Sequence, residues 1–371
     1  MASVFTPEQT ELRMTVRRFC EEKFAEEQIR ALVDSDEGFD RSVWSQMAEQ
    51  LGLQSLAIPD EFGGSGFTQV EAAIVMEELG RALAPTPFLA TVVLSANLLL
   101  AVGDTPYTAD LLARIAAGRT CAAVAVLEAS AEWEPNGVQA TAEHSGDSWQ
   151  ISGLKSNVID AETADVLLVA ARTAAGVSVF AVDPRSQGVR VERVDTLDLT
   201  RRQALVALDR VPAELVGDDG SGWEYVSHML RMTSVALASE NAGAALRLLE
   251  VSADYARTRE QFGQVIGGYQ AVKQKLADLL LNVELSRAAA YRVARAAADD
   301  DPLLPREAAM AHALTAETFV GAAYDTIQVH GGIGFTWEHL AHLYFRRAKS
   351  NEVLFGTPDH HRELAAAQLG L

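Results

Sequence analysis

The chain has 371 residues, too long for one ordinary hydrophobic core, so two or three domains are expected. Hydrophobic residues make up 49% and charged residues 22%, a balance that excludes a disordered chain. The 31 Lys and Arg against 51 Asp and Glu leave a formal charge of −20, which excludes wrapping of DNA or RNA but not a small anion held by locally placed arginines.

Met1 to Thr6 carry neither a basic region nor an apolar run, so no signal peptide is expected. Residues 1–117 read as a helical domain. Thr6-Pro7-Glu8-Gln9 combines a cap, a proline in the first turn and a capping-box Gln, and Leu12, Val16, Phe19 and Cys20 follow at helical spacing. A loop interrupts at Pro59-Asp60-Glu61-Phe62-Gly63-Gly64-Ser65-Gly66. Thr68-Gln69-Val70-Glu71 then starts another capped helix, which continues to Gly80. Phe88 to Gly103 is the most apolar stretch. Thr91, Ser95 and Asn97 interrupt it and it is short for a membrane span, so a buried helix is expected there.

Over residues 118–216 the period changes. Cys121–Leu127, Trp149–Ile151, Val166–Val169, Val177–Val182, Val189–Val194 and Ala204–Leu208 read as six short strands. Gly137, Gly146, Gly153, Gly176 and Gly188 punctuate them. No helix intervenes, so an antiparallel sandwich or barrel is expected. Residues 217–371 return to helix, with long periodic stretches over Trp223–Arg259, Gln270–Ala298 and Pro305–Val329. The cysteines, Cys20 and Cys121, are too few for a disulfide framework or a Cys-rich metal site and fit a reducing cytoplasm.

Two segments could carry chemistry. Arg257-Thr258-Arg259-Glu260-Gln261-Phe262-Gly263 closes a long helix with cations. It reads either as a C-terminal cap or, through Arg259, as a phosphate contact. Gln328-Val329-His330-Gly331-Gly332-Ile333-Gly334 lets backbone approach a ligand, though a helix rather than a strand leads into it, unlike a dinucleotide fingerprint. His339, His342, His360 and His361 lack the His-Glu-x-x-His order and are expected on helix surfaces, with no metal. Neither Gly-x-Ser-x-Gly nor Gly-x-x-x-x-Gly-Lys-Ser/Thr occurs.

Together these segments resemble the acyl-CoA dehydrogenases along nearly the whole chain. The matching motifs are Ile58 to Gly66, Arg257 to Gly263, Gln270-Ala271-Val272 and Gln328 to Gly334, in order within an α–β–α succession. The resemblance implies an α+β fold with an N-terminal helical domain, a middle antiparallel β domain and a C-terminal helical bundle. It implies FAD bound between subunits, with Arg259, Phe262, Gln270, Gln328, Gly331 and Gly332 as the half-site for a neighbour's FAD, and Thr357 as a flavin contact. It further implies an acyl-CoA substrate, an electron-transfer flavoprotein as acceptor and a dimer of dimers. In the family reaction a carboxylate takes the α-proton of the thioester while the β-hydrogen leaves as hydride to the flavin.

The departures concern that carboxylate. The usual Glu before Gly-Thr stands here as Phe355, ahead of Gly356-Thr357. The alternative place early on the long helix is Thr233. The flavin-side loop reads Leu127-Glu128-Ala129-Ser130-Ala131-Glu132, and the usual Trp beside the flavin is Asn157. The Asp-x-x-Arg that handles the CoA end reads Arg231-Met232-Thr233-Ser234, which leaves Arg231 as the substrate-side cation. One acid remains on the helix, Glu240, about two turns and roughly 10 Å beyond Thr233. Three roles follow for it: a relocated base, a polar floor to the acyl pocket, or a structural acid. Two functions follow for the chain. It is an acyl-CoA dehydrogenase with Glu240 as base, or a non-catalytic subunit that lends its FAD half-site to an unlike partner.

Overall fold

A computed structural model describes residues 5–145 and 148–371. The signal-peptide reading of the first residues and the turn at Gly146 fall wholly or partly outside them. The N-terminal helices are α1 (Pro7–Lys23), α2 (Glu26–Asp34), α3 (Arg41–Glu49), α4 (Gln69–Arg81), α5 (Asn97–Val102) and α6 (Pro106–Ala116). Both capping boxes form. Thr6 and Gln9 exchange hydrogen bonds at the start of α1, and Thr68 and Glu71 do so at the start of α4. Phe88–Val102 is helical as expected and buried as far as Leu99, but Leu89–Ala96 winds as a π-helix before α5. There Ser95 Oγ and Asn97 Nδ2 donate to the helix's own carbonyls, which explains how its polar residues are buried.

The middle region contains β1 (Ala122–Ala125), β2 (Thr141–Ser145), β3 (Ser148–Ile159), β4 (Val166–Arg172), β5 (Val177–Val182), β6 (Val189–Val194) and β7 (Gln203–Val216). Two corrections to the sequence reading follow. First, β2 is an additional strand, whose polar outer residues Glu143 and His144 hide its alternation. Second, the sheet is mixed: β1 runs parallel to β4, and β2 meets β4 in parallel at Thr141 and Arg172. The remaining pairings are antiparallel, and the path β4–β2–β3–β7–β5–β4 closes on itself, so the region is a barrel with β1 and β6 attached. Phe180, Leu167, Val169 and Val206 fill its interior.

The C-terminal region is a long antiparallel bundle: α7 (Gly222–Thr258), α8 (Gln270–Ala298) and α9 (Leu304–His330), followed by α10 (Ala341–Asn351) and α11 (Pro358–Ala367). The hairpin strands β8 (Glu260–Gln261) and β9 (Gln264–Val265) join α7 to α8. Helices α4 and α7 cross at touching distance. A Cβ on Gly80 would lie 2.2 Å from the Glu240 carbonyl, and one on Gly243 would lie 1.9 Å from that of Glu77. Only glycine at both positions permits this crossing.

Candidate functional site

The end of α7, the start of α8 and the end of α9 meet at one end of the bundle, because three successive antiparallel helices alternate direction. Stacking of Tyr255 on His330 at 4.3 Å and a 2.5 Å Lys275–Asp325 ion pair fasten that end. Arg259, Phe262, Gln270, Gln328, Gly331 and Gly332 are all exposed there. Phe262 is 93% exposed with φ +53°, a large aromatic turned outward on a tight hairpin. Among the described residues the Arg259 side chain has no hydrogen-bonding or ionic partner, whereas Arg257 pairs with Asp254 at 2.8 Å. Gly331 has φ +64°, and a Cβ on it or on Gly332 would meet only open space. A free guanidinium beside uncovered glycine backbone fits a pyrophosphate from outside the chain. Thr357 lies apart from this group, where its Oγ1 accepts the His360 N–H and caps α11.

A first cavity of about 260 Å³ lies between the barrel and the helices. The register of β3 against β7 slips between Lys155 and Val158, and this bulge turns Ser156 and Asn157 toward the space. Asn157 adopts φ +53°, which Asn tolerates, and its Nδ2 donates to Gln203 Oε1 at 2.8 Å. Val124, Val126 and Met229 supply apolar walls, and Ser350, Val353, Leu354 and Phe355 close the far side. Glu128 anchors the flanking loop. Its carboxylate accepts from the Gln139 and Ala140 N–H groups and from Lys155 Nζ at 2.6 Å. Burial lowers the Lys155 ammonium to about 8 against the opposing pull of Glu128. An apolar slot edged by two side-chain amides suits a flat heteroaromatic ring. No titratable side chain lines it.

A second cavity of about 330 Å³ adjoins the first. Arg231, Trp223, Leu230, Ser234, His360 and His361 are among its walls. Arg231 is partly buried, which lowers its guanidinium pKa, and it has no hydrogen-bonding or salt-bridge partner among the described residues. The histidines correct the sequence reading in part. His342 and His361 are buried rather than on the surface, and burial pushes each down to about 4. Among the described residues no metal-holding cluster forms. Trp133 and Phe355 border both cavities, with ring centroids 5.1 Å apart.

The two base positions hold no acid. Phe355 is buried at 6% exposure with φ +61°. Thr233 is fully buried and donates back to the Met229 carbonyl at 2.7 Å. The expectation that Glu240 replaces them conflicts with its surroundings. Its oxygens take Arg201 Nη2 at 2.8 and 2.7 Å and Arg347 Nη1 at 2.7 Å. Arg347 also binds Asp198 at 2.6 Å, and Arg201 binds Asn351 at 2.7 Å. Burial would raise the Glu240 carboxyl, but the two guanidiniums outweigh it and hold the group at about 2. Glu240 lines neither cavity. The network instead ties α7 and α10 to the segment between β6 and β7. Sequence reasoning missed Arg201, Arg347 and Asp198, because charges far apart in the chain carry no local signal of their pairing. It also missed Trp133, which sits in an irregular loop.

Comparison with known proteins matches this architecture. The acyl-CoA dehydrogenase N-terminal domain matches residues 6–119 and the acyl-CoA dehydrogenase C-terminal domain residues 220–370. The chain belongs to the acyl-CoA dehydrogenase family, oxidoreductases whose cofactor is FAD. The acyl-CoA dehydrogenase IpdE2 of Mycolicibacterium smegmatis is 32% identical over 350 residues, 94% of each chain. Acyl-CoA dehydrogenase FadE27 of Mycobacterium tuberculosis is 32% identical over 345 residues, 89% of this chain and 88% of that one. Among solved structures, the ChsE4–ChsE5 complex of Mycobacterium tuberculosis superposes with a TM-score of 0.89 at 28% identity, covering 99% of this chain and 98% of that one. No described helix is long and apolar enough to cross a membrane.

Proposed function

We propose that this chain is a subunit of an FAD-dependent acyl-CoA dehydrogenase built from unlike subunits, and that it lends an FAD half-site while its partner supplies the base. The observation that carries this reading is Phe355, a buried aromatic where the family pattern has its Glu. The single-chain reading needs another base. Glu240 held at about 2 between two guanidiniums is too weakly basic and has no free lone pair facing a cavity. The relatedness to one chain of the ChsE4–ChsE5 complex supports an assembly of two kinds of subunit.

FAD, when bound, supplies the hydride acceptor. In this chain Arg259, Phe262, Gln270, Gln328, Gly331 and Gly332 would hold the phosphate-bearing end of a cofactor shared with the partner. Asn157 and Gln203 would orient a ring in the first cavity, and Arg231 would face the anionic end of an acyl-CoA. Exposed Leu281 and Leu285 on α8, with Met310 and Leu314 on α9, provide apolar area for a dimer of dimers. An electron-transfer flavoprotein is the proposed acceptor and the cytoplasm the proposed location.

The test is anaerobic flavin bleaching by acyl-CoA. We compare the chain purified alone with the chain co-purified with an acyl-CoA dehydrogenase partner from the same organism. Bleaching should need the complex and vanish when the partner's base is replaced by Gln. Full-rate bleaching by the chain alone as a homo-oligomer would refute the reading.

A further inference from the structure

We infer that Glu240 is a positioning residue: with Asp198 it holds Arg201 and Arg347 in a buried clamp that sets the distance between the two walls of the first cavity and so aims the Asn157–Gln203 amide pair at the cofactor ring. The inference rests on the reading of that cavity as the ring slot. It gives a role to charges that line neither cavity.

Each wall of the slot stands a short step in sequence from the clamp. On one side Arg201 precedes Gln203 by two residues, and Gln203 edges the slot. On the other side Asn351 follows Ser350, which lines the slot with Val353 and Leu354. Arg201 Nη1 donates to Asn351 Oδ1 at 2.7 Å and spans the two walls directly. Arg347, one turn before Asn351, spans them again. Its Nη2 donates to the Thr200 carbonyl at 3.1 Å and its Nε to Asp198 at 2.6 Å. The Asp198 carboxylate also accepts the Thr200 N–H at 2.9 Å, which fixes the backbone leading to Gln203. Both spans need the acids. Arg347 lies close enough to oppose the charge on Arg201, and Glu240 on α7 accepts from both guanidiniums. Asp198, Thr200, Arg201, Glu240, Arg347 and Asn351 are each at most 7% exposed, so bulk water does not screen that repulsion. Loss of one carboxylate therefore pushes the walls apart.

The clamp aims a donor beside an acceptor. Asn157 Nδ2 donates to Gln203 Oε1, and among the described residues Gln203 Nε2 and Asn157 Oδ1 have no other partner. One free donor next to one free acceptor matches a ring edge that carries a carbonyl next to an N–H, as a flavin does. Such paired hydrogen bonds weaken steeply once the angle or distance slips.

The experiment titrates FAD into the cofactor-stripped chain assembled with its partner, and reads affinity and the flavin absorption band. Gln203→Ala marks the cofactor whose ring lies in this slot and should weaken it about tenfold, with a shifted band. Glu240→Gln and Asp198→Asn should each do the same. Adding Glu240→Gln to Gln203→Ala should lose no further affinity, because Glu240 acts through Gln203. Val16→Ala, in the core of α1 and away from the slot, controls for lost stability and should leave affinity and band unchanged. Misfolding of Glu240→Gln leaves Asp198→Asn as the test. Unchanged affinity and band in both acid variants, with Gln203→Ala altered, would overturn the inference and leave the ring slot standing. Additive losses in the double variant would overturn it as well. No change in any variant, Gln203→Ala included, would overturn the ring slot and the inference together.

Discussion

Replacing Glu240 by Gln separates a structural acid from a catalytic one. The wild-type cluster balances Arg201 and Arg347 against Glu240 and Asp198, all with side chains at most 7% exposed. Gln keeps the shape but leaves one buried guanidinium charge uncompensated. A carboxyl held at about 2 rather than 4.5 corresponds to roughly 3 kcal/mol favouring the ionised form in the fold. That agrees with the ~3–5 kcal/mol typical of breaking a buried pair. For a domain of this size the thermal midpoint should fall by about 6–12 °C at neutral pH. The folded pKa lies below the unfolded one, so the stabilisation is complete above the ordinary carboxylate value near 4.5. It disappears as pH falls toward 2, and the gap between wild type and variant should close over that interval. Scanning calorimetry at several pH values measures this. A Glu240→Gln protein with unchanged midpoint and flavin reduction slowed a hundredfold would refute the structural assignment and restore Glu240 as base.

Three further outcomes are expected. Arg259→Ala should weaken FAD retention by the assembled protein roughly tenfold to a hundredfold, and Arg257→Ala far less, because Arg257 already pairs with Asp254; flavin release on dilution measures both. Trp133→Ala combined with Phe355→Glu should let the chain alone bleach with acyl-CoA at least about a hundredfold faster than wild type, read by stopped-flow absorbance at the flavin band. Gly243→Ala should lower the denaturation midpoint without touching either cavity, since its Cβ would lie 1.9 Å from the Glu77 carbonyl and helices α4 and α7 would have to part.

Much of the frame was written locally. The capping boxes at Thr6 and Thr68 and the long periods of α7, α8 and α9 are signals within a few residues of each other, and each produced the expected element. That the residues proposed as a half-site lie close together was equally legible, because they sit at helix ends that antiparallel connection brings together; their role was not. What was not legible is pairing across distance. Glu240 reads as a lone acid among alanines and leucines because Arg201 and Arg347 are 39 and 107 residues away. Parallel contact of β1 with β4 is likewise invisible in strand composition. Trp133 lies in a loop whose spacing has no period, so nothing local announces that it meets Phe355.

The glycine crossing of α4 and α7 leaves no slack. Carbonyls of each helix sit where a methyl group on the other would have to go, so those two domains cannot hinge across that line without losing contact altogether. Phe355, which departs from the family pattern, and Trp133, which meets it, lie on connecting segments beyond this rigid seam. Such a division lets chemistry drift while architecture stays fixed. A lineage can silence, lengthen or reawaken its pocket by changing loop side chains and still present the same outer surfaces to a partner subunit. On that view, loss of the base is a small step in this scaffold, and division of labour between unlike copies is an easily reached state.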